Sequence, residues 1–372
     1  MKIPSFALER YFAAHEFTAR YLLSCSDCEA LTMAELLSMA DAECQHLWAR
    51  LELRYTESQG HPVLREAIAD IYANIDASDI LVAAPQEAIF LLMHALLEAG
   101  DHVVVMAPAY QSLHEVARSI GCAVDRWAPD ENRGWYFDIA SLEERLRPDT
   151  RLVIVNFPHN PTGYVPSKKD FQALVELTRQ RGIYLLADEM YRFLEIDPDS
   201  RLPSACELYD NAVSLFGLSK SFGLPGLRIG WLASQNRDIL TRVLALKDYT
   251  TICNSAPSEI LAIAGIRNRT DIVDRQLARL RKNLSVLDGF FDDYADCFSW
   301  TRPLGGSVCF PRMLIPQDTS TFCDELVNKA GIMLVPSKLF QFGERHVRIG
   351  FGRENLPEVI SVFASYLDEN FQ

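Results

Sequence analysis

No apolar run in this chain approaches the roughly 20 residues that a membrane-crossing helix requires. Positive charge is also scarce. There are 36 Lys and Arg against 50 Asp and Glu, a net charge of −14. An acidic balance of this size argues against non-specific binding to nucleic acid or anionic membrane. The first residues, Met1-Lys2-Ile3-Pro4-Ser5-Phe6, are followed by Glu9, Arg10, His15 and Glu16, so the apolar core of a signal peptide is missing. Cysteine does not form a disulfide framework. The nine cysteines are odd in number and scattered, many inside apolar runs such as Ser307-Val308-Cys309-Phe310. They read as reduced thiols, and the expected location is cytoplasmic. Cys25 and Cys28 make a lone C-x-x-C without the second pair a zinc site would need. No metal is expected, and there are no repeats, low-complexity tracts or flexible linkers.

What is present is a soluble globular composition, 49% hydrophobic and 23% charged, over 372 residues, enough for a large core and two domains. Short β-branched runs at 80–83, 102–106, 151–156, 183–187 and 212–216, with a return at 228–233, alternate with amphipathic stretches at 87–99, 111–120, 139–146 and 168–181. That alternation predicts an α/β fold whose sheet is mainly parallel and covered by helices. Unbroken runs such as Leu152-Val153-Ile154-Val155 fit strands buried on both faces. A long charged helix at 271–294 closes this region. Strands at 308–310, 332–335 and 347–350 then mix with helices at 319–330 and 356–371 in a smaller α+β domain. Helical stretches at 6–21 and 32–53 are expected on that domain or over the cleft. The expected division is 45–265 for the large domain and 1–44 with 266–372 for the small one.

Unusual residues collect at the carboxyl ends of the strand candidates, where open parallel sheets bind ligands. After 80–83 comes Ala84-Pro85-Gln86, opening a helix whose free N–H groups suit a phosphate, although Pro85 removes one donor. After 102–106 comes Tyr110, an aromatic able to stack on a flat ring. Asn156-Phe157-Pro158-His159-Asn160-Pro161-Thr162-Gly163 is a rigid turn in which the Asn160 amide can donate. Asp188-Glu189-Met190-Tyr191 puts a carboxylate at the end of an apolar strand, costly unless paired. Ser219-Lys220 follows the next strand, and Arg228 lies eight residues further on. Desolvation favours a lysine's neutral amine, which can form a Schiff base with an aldehyde. A guanidinium fork can hold a phosphate by two bonds.

In this order the motifs N-x-P-x-N-P-T-G, D-E-x-Y, S-K and R-x-G resemble the class I/II aminotransferases, pyridoxal-phosphate enzymes of the aspartate aminotransferase fold (type I). The likeness runs from about Tyr55 to Arg348. The resemblance implies pyridoxal 5′-phosphate as cofactor and Lys220 as Schiff-base lysine and proton shuttle. It implies Asp188 as partner of the ring nitrogen, and Asn160 and Tyr191 as donors to the ring oxygen. Tyr110 would be the stacking residue. Ser219, Arg228 and the N–H groups around Ala84, Pro85 and Gln86 would form the phosphate cup. Arg348, with Asn160, would hold the substrate carboxylate, and Tyr55 would reach the phosphate of a neighbouring subunit in a homodimer. Two departures stand out. Ala84-Pro85 replaces the family's usual Gly-Ala, and Gly217 stands where many members have a phosphate-binding serine.

The runs at 108–113, 155–161, 223–228 and 247–249 also resemble the capreomycidine synthases, in which the same cofactor drives cyclisation of a hydroxylated arginine. Tyr191 follows the ordinary aminotransferase pattern instead. The expected activity is therefore transfer of an amino group between an L-amino acid and a 2-oxo acid. The alternative is replacement, elimination or cyclisation on an amino acid such as an arginine derivative. Arg348 argues against decarboxylation, because it would hold the carboxylate. A ligand-sensing module of a transcription regulator would need a DNA-binding domain, for which there is neither length nor a basic segment. A degenerate scaffold would not keep Lys220, Asp188 and Arg228 together. No motif marks the side-chain pocket. Glu9, Glu16 and Asp27 are the acids available to a guanidino substrate, while His15 and His159 read as a helix-face residue and a turn residue.

Overall fold

The computed structural model describes residues 2–371. Helix α1 (Ala7–His15) opens the chain. The central sheet then builds up as β1 (Ile80–Ala83), α2 (Pro85–Leu96), β2 (His102–Met106), α3 (Ser112–Ile120), β3 (Ala123–Trp127), β4 (Thr150–Asn156), α4 (Lys168–Gln180), β5 (Tyr184–Asp188), β6 (Ala212–Gly217) and β7 (Gly230–Ala233). The seven strands lie in the order β1-β7-β6-β5-β4-β2-β3. All neighbours are parallel except β7, which runs antiparallel to both β1 and β6. The carboxyl ends of β1, β2, β4, β5 and β6 therefore share one edge.

The strands form where β-branched and aliphatic residues run unbroken, because each is covered on both faces. Leu81, Val103, Val105, Ile154 and Leu215 pack into one apolar cluster; Val104, Val153, Val155 and Leu185 pack into another across the sheet. Edge strand β3 is absent from the expected set. Its Asp125 and Arg126 are only partly covered, so the hydrophobic signal is missing there. The strand expected at 228–233 begins at Gly230, because Arg228 takes a left-handed φ of 56°. The stretch expected as one helix at 32–53 divides into Met33–Ser38 and Ala42–Ala49, where Asp41 caps the second through Cys44 N at 2.8 Å.

Beyond helices at Arg237–Lys247 and Ala256–Arg267, the long helix α5 (Arg269–Asp293) leads to β8 (Val308–Cys309), α6 (Thr319–Ala330), β9 (Val335–Pro336), β10 (Val347–Gly350) and α7 (Leu356–Phe371). The run expected at 332–335 is split. Ile332–Met333 pairs with Tyr21–Leu22, and Val335–Pro336 pairs with β10. A separate core joins α5, α6 and α7 to Tyr21, Leu23 and Cys28 from the start of the chain. Residues 23–29 are bound alongside β10: Gly350 N donates to Leu23 O at 2.8 Å and Glu29 N to Gly352 O at 3.0 Å. This path carries Cys25, Ser26 and Asp27 past the carboxyl edge of the sheet.

Candidate active site

A cleft of about 530 Å³ opens at that edge. Its lining includes Pro85, Gln86, Tyr110, Asn160, Asp188, Tyr191, Ser219, Lys220, Arg228 and Arg348. Tyr55, 84% exposed, and Ala84, the N-cap of α2, lie outside the lining.

Asp188 ends β5 and is buried, and its Oδ1 accepts from Met190 N at 3.1 Å. Burial pushes its carboxyl up to about 7, against the opposing pull of that amide and of the Lys220 charge. Tyr191, one turn on, is buried with its hydroxyl unpartnered. Asn156 ends β4. Its amide donates to Asp188 O at 2.8 Å, and its Oδ1 accepts from Asn160 N at 2.8 Å. Lys220 is half-buried, and its Nζ donates to Ser26 Oγ at 2.7 Å. Ser307 Oγ holds Ser26 in turn, donating to its carbonyl at 2.7 Å.

Arg348, on β10, is 2% exposed. Its two acceptors, Asn160 Oδ1 at 3.3 Å and Ser24 O at 2.9 Å, are both neutral, and Nε has no partner. The guanidinium sits over the rings of Phe12 and Phe340. Burial lowers its pKa, and a buried cation with spare donors is a site for an anion. Facing the opposite wall, Tyr110 packs 4.9 Å from Phe6 and donates to Glu9 at 2.5 Å. Gln111 fastens the same segment, accepting from Ala7 N at 2.8 Å and donating to Ser5 O at 3.0 Å. Glu9, Glu16 and Asp27 line the cleft as well. Burial raises the pKa of Glu16, and the charges of Asp27 and Glu9 add to the shift.

The two sequence departures form one packing arrangement. Gly217 and Gly230 face each other across β6 and β7, and the buried Pro85 ring covers both. A Cβ on Gly217 would lie 3.0 Å from Gly230 Cα and 3.1 Å from both Ile229 O and Pro85 Cγ. A side chain at 217 would therefore meet the Pro85 ring as well as the backbone at Ile229 and Gly230. Two members of the site are absent from the sequence-based set: Asn156 as the link between two loops, and Ser26 as the partner of Lys220. The first has a signal in its position at a strand end. The second has none, since 194 residues separate the pair.

A parallel-edge cleft with a lysine, a buried carboxyl and a spare guanidinium matches the arrangement that the resemblance to pyridoxal-phosphate enzymes of fold type I implies. The residues fit that cofactor. Tyr191 leaves a buried hydroxyl free toward the cleft, and Asp188 has a carboxyl that a protonated ring nitrogen would complete. The model of the family "Aminotransferase class I and II" matches residues 23–363, and the chain belongs to that family. Capreomycidine synthase of Streptomyces vinaceus is 29% identical, covering 94% of this chain and 90% of that protein. Aspartate aminotransferase of Thermococcus kodakarensis is 26% identical, covering 86% and 82%. Among solved structures, a pyridoxal-phosphate-dependent aminotransferase from Streptococcus suis matches with a TM-score of 0.93 at 30% identity, covering 100% of both chains. The pyridoxal-phosphate-dependent cyclase OrfR matches with a TM-score of 0.90 at 31% identity, covering 99% and 98%. The protein is thus a transferase-type enzyme, and its cofactor is pyridoxal 5′-phosphate.

Proposed function

We propose that the protein moves an amino group between an L-amino acid and a 2-oxo acid, with Lys220 as the lysine that joins the cofactor. One observation carries this reading: a single cleft holds the Lys220 amine, the Asp188 carboxyl and the Arg348 guanidinium with its unpartnered Nε. When bound, pyridoxal phosphate supplies an electron sink for the charge left at Cα. Asp188 keeps the ring nitrogen protonated. Asn160 and Tyr191 donate to the ring oxygen, and Tyr110 covers one ring face. Ser219, Arg228 and the N–H groups near Gln86 hold the phosphate. Arg348, steadied by Asn160 Oδ1, holds the substrate carboxylate, and Lys220 Nζ takes the proton from Cα. The domain bounds 45–265 and 1–44 with 266–372, and a cytoplasmic location, belong to the same proposal.

The working unit is a homodimer in which Tyr55 reaches the neighbouring site. Leu53, Tyr55 and Tyr249 are 88%, 84% and 90% exposed. Lys247 Nζ donates to Ser58 O at 2.6 Å, which ties the segment before Tyr249 to the one after Tyr55. The test is a panel of amino acids with product analysis. A 2-oxo acid with conversion of the cofactor to its amine form supports transamination, and a protein that stays colourless with pyridoxal phosphate refutes the site.

The acids on the N-terminal wall favour a second reading, replacement, elimination or cyclisation on an amino acid with a cationic side chain. Glu9 is engaged by Tyr110, and Asp27 pairs with Arg353 at 2.9 Å. Glu16 is left to face such a group. Arginine derivatives belong on the panel, and a cyclised or eliminated product without the amine-form cofactor selects this reading.

A further inference from the structure

His159 is 1% exposed and touches two loops of the cleft. Its Nε2 lies 2.8 Å from Pro108 O, and its Nδ1 lies 2.7 Å from Thr162 Oγ. A carbonyl oxygen can only accept, so Nε2 carries the proton. Nδ1 then presents its lone pair and accepts from the Thr162 hydroxyl, whose oxygen accepts from Tyr164 N at 3.3 Å. Each ring nitrogen is used once, and the Thr162 hydroxyl both donates and accepts. Burial holds the ring neutral, with its pKa down at about 4, so this pattern persists across the working range.

The two loops are the ones that follow β2 and β4. One carries Tyr110, two residues beyond Pro108; the other carries Asn160, next to His159. From Asn160 the bonding continues to Asn156 Oδ1, and from the Asn156 amide to Asp188 O. The main chain before Tyr110 is thus bonded to the imidazole, and through the peptide joining His159 to Asn160 the connection continues by hydrogen bonds to the main chain of Asp188. The Phe137 ring packs edge-on against the imidazole at 5.1 Å.

We propose that His159 is a positioning residue that sets the spacing between Tyr110 on one side of the cofactor ring and Asn160 with Asp188 on the other. The proposal rests on the cofactor roles assigned to those three residues. His159→Leu keeps bulk and removes both bonds; His159→Gln retains a donor for Pro108 O. The experiment measures pyridoxal phosphate dissociation, the visible circular dichroism of the bound cofactor, and Tm. His159→Leu is expected to weaken cofactor binding by roughly tenfold and to change the dichroism of the cofactor that does bind, with His159→Gln recovering part of both. A lower Tm with unchanged affinity and dichroism would overturn the proposal and leave His159 a packing residue. If His159→Leu does not fold, Thr162→Val removes the bond to Nδ1, together with the longer one from Tyr164 N, and leaves the imidazole and its bond to Pro108 O in place. It is expected to shift dichroism and affinity in the same direction by less, and no shift in either counts against the proposal. Wild type that takes up no pyridoxal phosphate would instead refute the site reading itself, so the two failures are distinguishable.

Discussion

On the floor of the cleft, Asn156, Asp188 and Gly217 stand at the ends of β4, β5 and β6, and each is placed by the strand before it. The opposite wall is built from residues 6–27, held by contacts that span the chain: Glu9 to Tyr110, Ser26 to Lys220, Ser24 to Arg348. The floor carries groups suited to a cofactor common to the whole family. The wall carries Glu9, Glu16 and Asp27, which face whatever enters beside it. The groups suited to the shared cofactor thus stand at strand ends, where position is rigid, while the acids of the cleft stand on a segment held across it by contacts distant in the chain.

The largest effect expected on the floor is that of Lys220→Ala. Activity should fall by at least about 1,000-fold, with loss of the lysine-bound cofactor absorbance. Retention of that band in the variant would mean that another amine joins the cofactor. Next is the coupled pair at the phosphate end. Gly217→Ser alone should weaken cofactor binding by about tenfold, since its Cβ meets backbone on two sides. Adding Pro85→Ala, which removes the third close contact and frees one N–H, should recover part of that loss. The cycle should be non-additive by about 1 kcal/mol or more, and simple additivity would mean that the two departures are independent.

On the wall, Glu16→Gln should spare neutral substrates and weaken turnover of cationic ones by roughly tenfold. Equal effects on both would remove Glu16 from side-chain selection. A smaller effect is expected in the pH dependence of stability. Asp188 titrates at about 7 in the fold against an ordinary value of 3.8. The folded chain thus holds an extra proton between those values, and the protein without cofactor should lose stability as pH rises through that window. Bound cofactor offers a cationic partner, so the Tm gain on adding pyridoxal phosphate should be larger at pH 8 than at pH 5. In Asp188→Asn that pH dependence of the gain should shrink.

Much of the floor is legible in the sequence. Apolar runs mark strands buried on both faces, and a polar residue at the end of such a run has few reasons to be there. Tyr110, Asn160, Asp188 and Lys220 all stand out that way. Edge strand β3 does not, because Asp125 and Arg126 interrupt its run. Ser26 does not either, because its role depends on residues 23–29 running beside β10, and nothing local to Ser26 encodes that path. The proline and the two glycines at the phosphate end are visible as exceptions, but their common cause is not. It is the close approach of residues from three different elements.

Local periodicity was enough to read the class of fold, and the resemblance of the strand-end motifs to the class I/II aminotransferases implied the cofactor. Tertiary structure alone decided which acids share the cleft with Arg348, that the Pro85 ring lies against position 217, and that His159 ties two loops together. Those facts depend on contacts between residues distant in the chain, whose meeting is set by the packing of the whole molecule.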